Sequence, residues 1–150
     1  MTFAWVRRAA TLAVAGGLSV ASASAQTDLR YAHVGSEGDI QYWYADQAKD
    51  AIPEATNGEV TVTVFPNSQL GGVQETIDGA ISMAHHEFAS LSQLVPEIAV
   101  FSAPFVYRDG EHALKATDPR SSEVLQEFNE RLVEEGNMRI IGRLYRGARQ

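Results

Sequence analysis

The stretch Val60 to Gly72, VTVTVFPNSQLGG, limits what this chain can become more than any other. Val and Thr alternate from Val60 to Val64 and Phe65 closes the run, a pattern that suits a pleated strand. Pro66 ends it, because proline has no N–H to give to a ladder. Asn67, Ser68, Gly71 and Gly72 then carry turn chemistry, and Val73, Ile77, Ala80 and Ile81 fall at helical spacing. Strand, glycine loop and helix together make the unit of an α/β sheet, and in such sheets ligands usually bind at the carboxyl ends of the strands.

The flanking sequence extends that alternation. Asp28 to Val34 (DLRYAHV) predicts a first strand, with Leu29, Tyr31 and His33 on one face and Arg30, Ala32 and Val34 on the other. Neither face is clearly polar, which suggests a buried parallel strand. Ile40, Trp43, Tyr44, Gln47, Ala48, Ala51 and Ile52 repeat at helical spacing and predict an amphipathic helix with Trp43 and Tyr44 in its core stripe. Asn57-Gly58 turns the chain back into the central strand. The result is a βαβ unit with parallel strands and, by default, a right-handed crossover.

Beyond Ile81 the pattern is less regular. Ser82 to Ala84 suits a short strand, and His85 to Leu94 has no clear period. Ile98 to Val106 (IAVFSAPFV), interrupted by Pro104, reads as an extended segment through the core. Asp109 can cap a short helix from Gly110 to Thr117. Asp118 and Pro119 read as the N-cap and first position of a longer helix. Val124, Leu125, Phe128 and Leu132 form its buried stripe, Glu127 and Arg131 an i, i+4 pair, and Gly136 its stop. Met138 to Leu144 (MRIIGRL) reads as a closing strand.

Charge and leader narrow the function. Arg7 and Arg8 precede an apolar run from Ala9 to Val20, and Ala23-Ser24-Ala25 offers a cleavage site, so residues 1–25 read as a secretory signal peptide. The apolar run is too short to span a bilayer. No fuller twin-arginine pattern surrounds Arg7 and Arg8, which favours ordinary Sec export to the periplasm. Removing the leader takes two arginines from 12 basic residues and nothing from 19 acidic ones, moving the formal charge from −7 to −9. Such an acidic balance argues against nucleic acid. The absence of cysteine excludes a disulfide scaffold and a lipid anchor on cysteine. With 150 residues and 45% hydrophobic content there is room for one domain with a real core.

Five elements in order carry a family resemblance. Pro66-x-x-Gln69-Leu70-Gly71 after a hydrophobic strand resembles the FP-x-x-QLG element of DctP-type substrate-binding proteins, which serve tripartite ATP-independent periplasmic (TRAP) transporters. The opening YAHV strand, Pro96-Glu97-Ile98-Ala99-Val100-Phe101, Ala103-Pro104-Phe105-Val106 and the closing Gly147-Ala148-Arg149-Gln150 resemble further family elements. The resemblance implies a periplasmic-binding-protein-like lobe, with a mostly parallel sheet flanked by helices. Residues 26–150 would form the N-terminal lobe of a two-lobed protein that encloses an organic acid and passes it to membrane subunits. A later K-x-x-K-x-R-V-P-like element, which supplies the family's main carboxylate anchor, is absent, so the chain reads as a fragment or truncated frame lacking the second lobe and hinge. One local departure is Ser82 before Met83, where the family commonly has Asp-Met.

The resemblance also nominates ligand-binding residues. Arg149 matches an arginine that contacts acids from the first lobe, and a guanidinium grips a carboxylate bidentately. The plainer reading makes Arg149, Arg146 and Arg143 solvated charges near a chain end. Glu87 matches a cleft glutamate, which would accept from ligand hydroxyls or amines and repel a dianion; otherwise it is a surface residue. His33 and Val34, at the end of the first strand, align with ligand contacts, although His33 reads equally as a core histidine. His86 has a cleft or surface hydrogen-bonding reading. His85 and His86 make a poor metal pair, since neighbours on a strand point to opposite faces, and no metal or cofactor is expected. Gly71-Gly72 spells no phosphate loop.

Two other functions are weaker. An exported hydrolase would need a nucleophile elbow, thiol or metal triad that the sequence lacks. A ligand sensor feeding a kinase differs from a transport subunit in its partners. A single lobe, moreover, is expected to bind ligand poorly, since a half-enclosed carboxylate keeps its water.

Overall fold

The computed structural model describes residues 26–147. The expected signal segment, residues 1–25, and Arg149 lie outside them. The described chain runs β1 (Thr27–Ala32), α1 (Ile40–Ala55), β2 (Val60–Phe65), α2 (Val73–Ile77), β3 (Met83–Ala84), two 3-10 helices (Phe88–Gln93 and Pro96–Ser102), α3 (Gly110–Ala116) and α4 (Glu123–Gly136).

β1 is the middle strand of a parallel sheet ordered β2-β1-β3. It pairs with β2 from Thr27↔Val60 to Ala32↔Phe65, and with β3 at Tyr31↔Met83 and Ala32↔Ala84. β2 has the bounds that its Val/Thr alternation predicts, and Asn57 and Gly58 both take the left-handed conformation in the turn before it. Only the carboxyl half of β1 is buried on both faces; Thr27, Asp28 and Arg30 are exposed. There the Asp28 carboxylate accepts from the Thr61 and Thr63 hydroxyls, each at 3.0 Å.

Two apolar clusters hold the fold. Tyr31 and Val62 from the sheet meet Ala45 of α1, flanked by Leu29, Ala48, Ile52, Val64 and Met83. Leu91 and Ile98 from the 3-10 pair, with Val95 between the two helices, meet Phe128 and Leu132 of α4. Each large side chain buried this fully contributes roughly 1.5–3 kcal/mol. The 3-10 helices thus supply a core for α4, and no periodicity of the sequence announces them.

Several expectations change. α1 buries Ala45 against the sheet, with Ala48 and Ile52 half-buried beside it, and also buries Gln41, while Trp43 and Tyr44 are 56% and 41% exposed. Residues 98–106 do not run extended through the core: Pro96–Ser102 coils into a 3-10 helix, and Phe105 is fully exposed with φ of 63°. Asp109 caps α3 as expected, accepting from His112 N at 2.7 Å. α4, however, starts at Ser122, whose hydroxyl accepts from Leu125 N, whereas Asp118 caps the turn before it and pairs with Arg143 at 2.9 Å. On α4, Val124 faces out and Asn129 is buried instead. Arg131 pairs with Glu97 of the preceding 3-10 helix at 2.9 Å, rather than with Glu127. Gly136 is the last residue of α4, and Asn137 supplies the left-handed cap. An ideal Cβ on Gly136 would stand 2.5 Å from Leu94 Cδ1, so glycine there serves close packing.

Met138 to Leu144 forms no strand among the described residues. Buried Asn129 fixes it instead, donating to Ile140 O at 3.0 Å and accepting from Ile140 N at 2.8 Å. A side-chain amide here replaces the backbone partner that a sheet neighbour would offer.

Candidate functional site

β1 and β3 run parallel and end side by side, so the residues that follow them come together. Past β1 stand His33 and Val34; past β3 stand His85, His86 and Glu87. The loop after β2 fixes this end. Ser68 N donates to His33 O at 3.0 Å, His33 N to Phe65 O at 3.1 Å, and His85 N to Ala32 O at 3.2 Å. Ser36 Oγ donates to Asn67 Oδ1 at 2.8 Å. The proline-glycine loop that singled out this region in the sequence therefore positions the backbone of the first strand's end. Gly35 is closely packed: a Cβ would lie 3.1 to 3.2 Å from the Asp39 and Gln41 side chains, which would have to give by a few tenths of an ångström.

His33 is 3% exposed, and neither ring nitrogen has a hydrogen-bond partner among the described residues. Its burial is shallow, but it suffices to lower its pKa; Asp39 and the nearby Gly35 backbone oppose the shift, the latter without hydrogen-bond geometry. Val34, beside it, is 58% exposed. His85 Nε2 lies 2.7 Å from the Tyr31 hydroxyl. Burial chiefly, with the charges of His33 and His86, pushes His85 down to about 4, against the pull of Asp39. Tyr31 is itself pushed up to about 12 by burial. Both histidines are therefore neutral at pH 7 and offer one donor and one acceptor each.

His86 points the other way, with Nε2 3.0 Å from the Thr76 hydroxyl just past the middle of α2, and burial lowers its pKa as well. This agrees with the expectation that the adjacent histidines face opposite sides. Glu87 is exposed at the N-cap position of the first 3-10 helix, in extended conformation. Among the described residues, no group of three or more His, Cys, Asp or Glu side chains is gathered as a metal ion requires. Gly72 N already donates to Glu75 Oε2 at 2.6 Å, and this bond lowers the Glu75 pKa. That amide is thus satisfied by the chain's own carboxylate.

Three residues that the sequence did not nominate for the site join it. Tyr44 packs edge-on against His85 with ring centroids 6.4 Å apart. Gln41 is buried, and its Oε1 has no partner among the described residues. Asp39 caps α1 by accepting from Gln41 N at 2.9 Å and pairs through Oδ2 with Arg146 at 3.1 Å. That pair brings the last described residues to the same end of the sheet as His33. The cap is local, two residues apart, whereas the Arg146 partner lies 107 residues along the chain.

The comparisons with known proteins bear on the family and the fold. The family model of bacterial extracellular solute-binding proteins, family 7 (DctP), matches residues 31–150. The chain belongs to the DctP family. It is 32% identical to the 2,3-diketo-L-gulonate-binding periplasmic protein YiaO of Escherichia coli, over 72% of this chain and 34% of that one. The sialic acid-binding periplasmic protein SiaP of Vibrio cholerae is 24% identical over 93% of this chain and 44% of its own length. A TRAP periplasmic solute binding protein from Sulfurospirillum deleyianum, solved with bound succinate, superposes with a TM-score of 0.64 at 34% identity, covering 75% of this chain and 36% of that one. The chain thus spans between a third and a half of the length of these DctP relatives. DctP proteins form a solute-binding family rather than an enzyme class. No helix among the described residues is long and apolar enough to cross a membrane.

Proposed function

We propose that this lobe belongs to the extracytoplasmic substrate-binding subunit of a TRAP transporter, which captures an organic acid and delivers it to membrane subunits. One observation carries the reading: the neighbouring ends of β1 and β3 bring residues 33–34 and 85–87 side by side, with Val34 and Glu87 exposed and His86 turned towards α2, at the place where open α/β sheets take ligands. DctP membership and the succinate held by the Sulfurospirillum relative support an acid as the cargo. In this reading Arg149 grips the carboxylate as a planar fork, and a second lobe closes on the ligand by hinge motion. The Arg146 to Asp39 ion pair holds residue 146, three before Arg149, at the N-terminus of α1. Glu87, Val34 and His86 contact other parts of the ligand. A signal peptide at residues 1–25 and Sec export complete the route to the periplasm.

The test is a thermal-shift survey of the complete gene product against a broad carboxylate library. A cognate acid at a hundredfold excess over its Kd stabilises by about 2.7 kcal/mol, a clear rise in Tm. No shift with any carboxylate, or turnover of a substrate abolished by changing Glu87 or His86, would overturn the proposal in favour of a different class.

A further inference from the structure

β2 is an edge strand of the described sheet, and its outer side is closed at both ends but open in the middle. Thr27 N and His33 N donate to Glu59 O at 2.9 Å and Phe65 O at 3.1 Å. The odd-numbered residues of β2 therefore turn their backbone groups to β1, and the even-numbered ones turn theirs outwards. Val60 is already taken: Thr56 Oγ1 accepts from Val60 N at 3.1 Å and stands 3.3 Å from Val60 O. Pro66, at the other end, has no N–H to offer, and its carbonyl accepts from Gln69 N at 3.2 Å. Val62 and Val64 remain. No side chain or loop among the described residues bonds to their outward N–H and C=O groups, and both residues line the hollow of about 440 Å³ that α1 and β2 wall.

An uncovered strand edge is a template for another strand, and proteins blunt it with proline or a covering group. This chain does so at positions 60 and 66 and leaves Val62-Thr63-Val64 between them, uncharged and β-branched. Two open residues separated by one match a copy of themselves. In an antiparallel pair centred on Thr63, Val62 of each copy exchanges both backbone bonds with Val64 of the other. All four outward groups of each strand are then met, and none is left to recruit a third chain. Thr63 faces Thr63, a favourable cross-strand pair. A pair centred one residue earlier would set Val64 against Val60, whose groups Thr56 holds.

The flank of the hollow is self-complementary as well. Tyr42, Asp46 and Lys49 of α1 line it, and Lys49 is the one basic residue of α1. Neither Asp46 nor Lys49 takes part in an ion pair among the described residues. A two-fold axis at Thr63 runs α1 of the two copies in opposite directions on one face of the joined sheet, which sets Asp46 of each towards Lys49 of the other.

We infer that the outer edge of β2 is a homodimer interface, in which two copies of this chain join their sheets through Val62 and Val64 and cross-pair Asp46 with Lys49. So short a ladder buries less than the roughly 1,200 Å² of a standard interface, so the dimer is weak, with a Kd on the order of 100 µM. The edge lies on the side of the sheet away from β3, so the inference stands apart from the function proposed above.

The experiment is sedimentation equilibrium of the complete gene product from about 10 µM to 1 mM, with hydrogen exchange at single amides of β2 over the same range. The mean mass is expected to rise towards twice the monomer as the monomer share falls from about 85% to about 20%. Exchange at the Val62 and Val64 amides should then slow about fourfold, with the Val60 amide unchanged. Lys49→Glu, which makes the flank wholly acidic, should weaken the dimer about tenfold, and Asp46→Lys combined with Lys49→Glu should restore it, circular dichroism verifying each fold. A monomer at every concentration, self-association that leaves the Val62 and Val64 amides unslowed, or a dimer indifferent to the Lys49→Glu exchange overturns the inference. So does slow exchange at those two amides that does not change on dilution, since the rest of the gene product would then cover the edge.

Discussion

Replacing His85 with phenylalanine tests the electrostatics of the strand ends through stability alone. Burial, assisted by His33 and His86 and opposed by Asp39, lowers His85 from 6.5 to about 4. A histidine with a folded pKa below its unfolded value binds more protons when unfolded. Its contribution is therefore fully present above the unfolded pKa and is lost as pH falls through the folded one. Across that window the loss amounts to about 3 kcal/mol, of which about 2 kcal/mol falls between pH 7 and 4.5. His33 and His86, also lowered by burial, add loss in the same direction. The lowered carboxylates Glu75 and Glu97 act mainly below their ordinary value of 4.5, so they leave this window to the histidines. His85→Phe keeps a ring in place but strands the Tyr31 hydroxyl, which costs roughly 1–3 kcal/mol at every pH. The diagnostic quantity is thus the change in unfolding free energy between pH 7 and 4.5, measured by urea titration with far-ultraviolet circular dichroism. The variant should lose about 2 kcal/mol less than the wild type over that span. Equal losses in the two proteins would refute the argument.

Other substitutions probe the scaffold. Leu132→Ala, at the fully buried centre of the α4 cluster, should cost about 2–5 kcal/mol in urea unfolding. Asn129→Ala should remove both bonds to Ile140 and speed hydrogen exchange at the Ile140 amide, with a loss of about 2 kcal/mol. Asp39→Ala should lose the α1 cap, about 1 kcal/mol, whereas Asp39→Asn should keep the cap and give up only the charge that holds Arg146. Comparing the two by thermal melting separates those roles.

Legibility of this chain followed the range of the forces involved. Local signals were readable: the Val60–Phe65 alternation, the Asn57-Gly58 turn and the Asp109 cap all act within a few residues. The 3-10 pair escaped notice because its stability comes from burying Leu91, Val95 and Ile98 on α4, some thirty residues later, rather than from any period. Trp43 and Tyr44 misled because hydrophobicity was taken for burial, whereas the face of α1 that meets the sheet carries Ala45, Ala48 and Ile52. Met138 to Leu144 has a strand's composition, but a strand needs a neighbour, and Asn129 supplied its hydrogen bonds instead. At the candidate site, His33 and Glu87 were named from the family resemblance. Gln41 and His85 emerge only from three-dimensional accounting of unmet polar atoms, for which sequence carries no mark.

The central claim is that the paired ends of β1 and β3 form one wall of an acid-binding cleft. A crystal structure of the complete gene product with its bound acid measures this directly. The account predicts the ligand over His33, Val34 and His85, with its carboxylate on Arg149. A ligand seated away from these strand ends, for example in the hollow of about 440 Å³ that Tyr42, Asp46, Lys49 and Thr63 line beside β2, would contradict it.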